Sequence, residues 1–164
     1  MDTHGDGSIC EAATSSDSVV LIAYGSEIRQ IRTNFTDYLY STLIENENFV
    51  RSLDVDPIDR YFYWVDQSTQ LIKRSYLPNT KTALGRAQTL THLQNTLLSR
   101  ATGDQAAADI SALAIDWVGK NIYFADASGN GSIKVAKNDG RYLKTIIREN
   151  SNLVTSLVVN PMNG

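Results

Sequence analysis

The sequence predicts an all-β protein built from repeated four-stranded antiparallel units, and three observations predict it. The segment VRSLDVDPIDRYFYWVD, 50–66, aligns without a gap on ISALAIDWVGKNIYFAD, 110–126, at an offset of 60 residues, and VTSLVVNPMNG, 154–164, begins a third copy. Leu53 falls on Leu113 and Leu157, Val55 on Ile115 and Val159, and Asp66 on Asp126. Secondly, the segment 60–66 is apolar in both of its alternating sets, Tyr61, Tyr63 and Val65 against Phe62 and Trp64. A strand with one wet face alternates, so this strand is covered on both faces. Thirdly, hairpin signals recur inside each copy, including Asp139-Gly140. Repeats of short strands that bury both faces against neighbouring copies are the pattern of a β-propeller.

The elements follow in order. Residues 50–55 form a first strand and 60–66 a second, rich in aromatic and β-branched residues, with a turn around Pro57 between them. The polar stretch Gln67-Ser68-Thr69 turns the chain into a third strand, 71–76. In the next copy 110–115 repeats the first strand, 122–125 the second, and 133–136 and 143–148 are the third and fourth. The separation of the second and third copies is 44 residues, and the first is longer by 16 because the stretch 79–108 carries extra polar residues. That stretch is read as the last strand of its blade plus a long loop, with Leu90, Leu93 and Leu97 as a competing helical stripe.

Composition narrows the function. The 164 residues carry 15 Lys and Arg against 18 Asp and Glu, a net charge of −3, so no basic stripe for nucleic acid is present. The longest wholly apolar run, Val19 to Ala23, is far below the roughly 20 residues of a membrane span. The first residues, from Met1 to Asp6, lack the basic and apolar regions of a signal peptide. Cys10 is the single cysteine.

Tyr63-Trp64-Val65-Asp66 and Tyr123-Phe124-Ala125-Asp126, with Leu113-Ala114-Ile115-Asp116-Trp117 upstream, resemble the YWTD, or class B, repeats of the low-density lipoprotein receptor family. Leu21 to Ile31 is similar to the strand pair that opens such propellers. The resemblance covers about 19–164 and implies an incomplete YWTD β-propeller. Its blades fall at 19–49 (partial), 50–109, 110–153 and 154–164 (partial), and the chain is a portion of a larger receptor. Residues 1–18 are similar to the end of an EGF-like module and its linker, which implies that Cys10 pairs with a cysteine further upstream. Val65, Phe124 and Ala125 depart from the motif, so the repeats are divergent.

The same resemblance implies a non-catalytic extracellular segment of a lipoprotein-receptor-like endocytic receptor, a single-pass membrane protein that reaches endosomes on uptake. Its partners are secreted proteins or lipoproteins, together with neighbouring blades and EGF-like modules. The alternatives are the binding propeller of an adhesion protein or Wnt co-receptor-like protein and, further off, a propeller hydrolase. No cofactor is implied in this chain; calcium belongs to flanking modules.

Candidate site residues follow. Tyr63, Trp64, Asp66, Tyr123, Phe124 and Asp126 are expected to be structural: the aromatics as core, the aspartates as clasps to the neighbouring blade. Asp54, Asp56 and Asp59 miss the EF-hand pattern, because Ile58 and Asp59 occupy its fifth and sixth positions, and Asp54 is read as turn-side. His4 and His92 are the only imidazoles, and no nucleophile elbow, P-loop or zinc spacing accompanies them. Asn34-Phe35-Thr36 and Asn130-Gly131-Ser132 are N-glycosylation sequons. Antiparallel alternation places 67–70, 127–131 and 148–152 on one rim and 57–60, 117–120 and 138–141 on the other. The resemblance implies that partners use the first rim, where Arg148, Glu149 and Asn150 are the expected contact.

Overall fold

The structure, a computed structural model, describes residues 18–33, 38–77, 109–148 and 154–162. Cys10, Asn34, His4, His92, Glu149, Asn150 and the 79–108 stretch lie outside the described residues. Among the described residues ten strands form three antiparallel sheets. The first sheet holds β1 (Ser18–Tyr24), β2 (Glu27–Thr33) and β3 (Tyr38–Ile44) in that order. The second holds β4 (Val50–Asp56), β5 (Tyr61–Asp66) and β6 (Leu71–Tyr76). The third holds β7 (Ile110–Asp116), β8 (Asn121–Asp126), β9 (Ser132–Lys137) and β10 (Lys144–Arg148) as a four-stranded meander. This is the all-β, partial propeller that the repeats predict.

The repeat extends to irregularities. The β4–β5 register shifts between Val50 and Ser52, and the β7–β8 register shifts between Ile110 and Ala112, the equivalent place. Arg60 and Lys120 close the turns after β4 and β7 with φ of 59° and 55°. Both are non-glycine residues in the sparsely populated left-handed region, held there by the surrounding turn.

The core lies between the sheets, and β5 contributes to it on both faces. Successive side chains of a strand point to opposite faces. Phe62 and Trp64 pack with Ile28, Ile44, Val50 and Leu77 on the side of the first sheet. Tyr63 and Val65 pack with Ile110, Leu113, Ile115, Ile122 and Phe124 on the side of the third. All of Phe62 to Asp66 is buried, so both faces are covered as expected.

The three sheets are not at the same stage of completion. The β1–β2 turn touches the start of β4, where Val50 N donates to Gly25 O at 2.9 Å. The β5–β6 turn touches the start of β7 in the same way, Ile110 N donating to Gln70 Oε1 at 2.6 Å. Strands β1 and β2 therefore occupy the places of β5 and β6. The place of β4 and β7, the innermost of the sheet, is empty in the first sheet among the described residues. Residues 154–160, the third copy of that innermost strand, lie in no strand and have no ladder partner among the described residues. They are tied to the third sheet where Ser111 Oγ donates to Val154 O at 2.6 Å.

Candidate functional site

The motif aspartates end the second strand of each blade, where the chain must turn at once. Asp66 Oδ1 accepts from Ser68 N (3.0 Å), Ser68 Oγ (2.9 Å) and Thr69 N (3.3 Å). Asp126 Oδ1 accepts from Ser128 N (3.0 Å), Ser128 Oγ (2.7 Å) and Asp109 N (3.3 Å). The second oxygens meet lysines: Lys73 Nζ lies 2.9 Å from Asp66 Oδ2 and Lys134 Nζ 2.8 Å from Asp126 Oδ2. Burial alone raises the Asp66 carboxyl, but Lys73, Ser68 and Thr69 hold it well below the usual carboxylate range. Asp126 is likewise lowered, burial being overcome by Lys134 and Ser128. These bonds stay within each aspartate's own blade. A carboxylate at the rim end of the second strand reaches its own turn and third strand before it reaches a neighbour, and among the described residues neither aspartate bonds directly to the next blade. Lys73 continues outward to Glu47 Oε2 at 2.6 Å, and through it the second sheet holds the loop leaving the first.

The clasp between blades is made one strand inward. Asp54 Oδ2 accepts from Ile115 N at 2.7 Å and Ser52 Oγ from Leu113 N at 3.1 Å, so β4 side chains receive the free edge amides of β7. Asp54 therefore lies in β4 and crosses the seam, which corrects the turn-side expectation. Burial raises its carboxyl, and the Ile115 and Val55 amides oppose the rise without cancelling it. Arg51 adds an ion pair to Asp109 at 3.0 Å, and Arg74 Nη1 donates to Asn138 O at 3.2 Å. Lys120 reaches back to Asp56 Oδ2 at 3.0 Å and Asp59 Oδ2 at 2.7 Å.

Trp64, Tyr63 and Phe124 are buried, as core residues must be. Tyr123 is only half-buried. Its face of β8 turns away from the second sheet, toward the side where the described chain supplies a single segment.

The two rims differ in chemistry. One carries Gln67, Ser68 and Thr69, and the 127–131 turn with Asn130 exposed. Arg148 is exposed at the end of β10 on this rim. Tyr24, at the end of β1, and Phe49, just before β4, are exposed aromatics at the same rim. The other rim presents Ile58, Val118 and Tyr142, which are 67%, 59% and 81% exposed. Its turns are joined by the Lys120 pairs and by Asn138 N donating to Lys120 O at 3.0 Å. Among the described residues no group of three or more His, Cys, Asp or Glu is arranged to hold a metal ion, and no helix is long and apolar enough to cross a membrane.

Sequence reasoning missed Lys73, Lys134, Lys120 and the role of Asp54. The two lysines were findable: each pairs the fourth residue of the YWTD-like tetrapeptide and lies opposite its second, Trp64 or Phe124. Their offset is 61 rather than 60 because the second turn has one extra residue.

No family model matches the chain. Among curated proteins, low-density lipoprotein receptor-related protein 8 of Homo sapiens is 30% identical over 137 residues, 84% of this chain and 13% of that protein. Low-density lipoprotein receptor-related protein 5 of Homo sapiens is 28% identical over 118 residues, 71% of this chain and 6% of that protein. The chain thus spans a small part of the relatives it matches. Among solved structures, one in a nidogen/laminin complex superposes with a TM-score of 0.65 at 21% identity, covering 89% of this chain and 50% of that one. The receptor relatives share its sequence, the solved chain shares its sheets, and the chain itself repeats the tetrapeptide in register. It is made of YWTD repeats of the low-density lipoprotein receptor family, folded as a receptor propeller module.

Proposed function

We propose that this chain is a non-catalytic, protein-binding segment of a lipoprotein-receptor-like endocytic receptor, displayed on the outer side of the cell. The observation that carries the reading is the match to receptor-related proteins over most of the chain, with the repeat residues used for packing rather than chemistry. The motif carboxylates are consumed by their own turns and lysines, and Tyr63, Trp64 and Phe124 by the seams. What remains for a partner is the rims. Blades 19–49, 50–109, 110–153 and 154–164 then present successive turns to one ligand, and the whole receptor carries it inward and releases it in acidic endosomes. The segment 1–18 closes an EGF-like module through Cys10, and glycans sit on Asn34 and Asn130.

Two rim sectors compete for the partner. Arg148, Glu149 and Asn150 form the charged one. The Ile58, Val118 and Tyr142 rim has the stronger physical claim, because exposed aromatic and aliphatic side chains supply more contact energy than solvated charges. The test immobilises the chain and passes low-density lipoprotein over it at neutral and at endosomal pH. Binding at neutral pH that is lost at endosomal pH supports the reading. Absence of lipoprotein binding together with laminin binding would favour the adhesion alternative. Ile58→Asp with Val118→Asp is compared with Arg148→Glu with Glu149→Arg. The pair that abolishes binding identifies the rim.

A further inference from the structure

The turn between the first and second strands of the repeat carries an exposed aliphatic side chain at the same place in three successive copies. Ile58, Val118 and Met162 are equivalent by the repeat, and they are 67%, 59% and 74% exposed. Apolar residues scattered singly over a surface are ordinary, but a position that recurs from blade to blade makes a row along one rim. Tyr142 stands beside that row, because its turn is joined to the Val118 turn where Asn138 N donates to Lys120 O at 3.0 Å. The turns are rigidly held. Asp56 Oδ1 accepts from Ile58 N at 2.9 Å and Asn160 Oδ1 from Met162 N at 3.3 Å. In the Tyr142 turn, Lys137 N donates to Arg141 O at 2.9 Å and Gly140 N to Lys137 O at 2.8 Å.

The charges around the row are of two kinds. Its carboxylates are engaged: Asp56 and Asp59 with Lys120, Asp139 with Arg141, and Asp116 with Gly119 N and Asn121 Nδ2. Two cations rest instead on neutral main-chain oxygens of the same turns. Arg74 Nη1 donates to Asn138 O at 3.2 Å, with its guanidinium 4.8 Å from the centre of the Tyr61 ring, and Lys137 Nζ donates to Gly119 O at 2.8 Å. A carboxylate is a stronger acceptor for either cation than a carbonyl is. We propose that this rim receives an extended segment of a partner protein in which acidic and apolar side chains alternate. Its carboxylates meet Arg74 and Lys137, and its apolar side chains cover Ile58, Val118 and Tyr142. This names the partner chemistry for the apolar rim favoured above, and it rests on that reading. Turns already fixed by hydrogen bonds lose little freedom on binding, and aromatic and aliphatic anchors supply most of the contact energy. An anionic membrane surface fits less well. Asp59 and Asp139, with side chains 44% and 50% exposed, lie among the cations and would face the headgroups.

The experiment follows the fluorescence anisotropy of a labelled synthetic peptide of alternating leucine and glutamate, titrated with the full 164-residue chain, and of its counterpart with glutamine at each glutamate. The glutamate peptide is expected to bind about tenfold more tightly. Lys137→Gln, on an exposed side chain, should reduce that preference, and Arg74→Gln combined with it should abolish it. Val118→Asp should weaken both peptides. Far-ultraviolet dichroism verifies that each variant is folded, and Lys137→Gln alone keeps the test decisive if Arg74→Gln opens the seam. No binding of the glutamate peptide, equal affinity for the two peptides, a preference that survives the substitutions, or stronger binding to phosphatidylserine vesicles overturns the proposal. If lipoprotein binds and the peptides do not, this proposal fails and the receptor reading stands; if the peptides bind and lipoprotein does not, the reverse holds.

Discussion

The seam between the second and third sheets and the seam between the first and second are built from the same repeat, yet they are held differently. The former combines its apolar cluster with the amides of Leu113 and Ile115 on Ser52 and Asp54, the Arg51–Asp109 pair and the Lys120 pairs. The latter has an apolar cluster, the backbone bond from Val50 N to Gly25 O, and the Lys73–Glu47 pair, with a cavity of about 410 Å³ at its inner end. The difference is one strand. An innermost strand brings free edge amides, and the preceding blade's first-strand side chains exist to receive them. Where the receiving strand is missing among the described residues, the seam is left with its apolar packing, the Val50–Gly25 backbone bond and the Lys73–Glu47 pair.

The largest test uses one residue at equivalent places. Leu113 is 2% exposed in the complete seam, and its equivalent Leu53 is half-buried against the cavity. Leu113→Ala should cost about 2–5 kcal/mol, as buried leucine truncations do. Leu53→Ala should cost about 1 kcal/mol, because the space it leaves is already open. Urea unfolding of the two variants decides it, and equal losses would mean that the cavity is filled in solution.

Next come the carboxylates. Asp126→Ala leaves the ammonium of Lys134, 4% exposed, without its closest counter-charge, and removes an acceptor from three donors. Removing one partner of a buried polar set costs about 1–3 kcal/mol. Asp54→Ala strands the Ile115 amide and costs about 1 kcal/mol, near the lower end of the same range. Melting curves that rank Asp54 above Asp126 would show that the inter-blade bond outweighs the turn.

Much of this was legible in the sequence. The two-faced strand at 60–66 showed itself because a period of two with both sets apolar has one physical meaning, burial on both sides. The turns were legible because Asp and Gly occur where strands must end. The inter-blade bonds were not. Asp54 has Ala114 as its equivalent, so the repeat gives no hint that a carboxylate is used there. Lys73 and Lys134 were hidden by one extra residue in the second turn, and Tyr123 matched Tyr63 in sequence while its neighbour sheet differed.

The finest distinction between the two kinds of aspartate is their response to acid. Asp66 and Asp126 sit below their usual range in the fold, because lysines and turn donors overcome burial. A carboxyl lowered by folding contributes stability that is fully present above its unfolded value, about 3.9, and is lost as pH falls through the folded one. Asp54 is raised, because burial outweighs its two amide donors. Its sign is opposite: the folded state holds the proton more tightly, so its charged form weakens the fold at neutral pH and that penalty is relieved on acidification. The protein should therefore lose stability below about pH 4, with Asp54 partly offsetting the loss. Urea midpoints for the parent and Asp54→Ala, followed from neutral pH down through this range, should diverge, with the variant falling more steeply. Parallel curves would mean that Asp54 is solvated and that the seam it crosses is open.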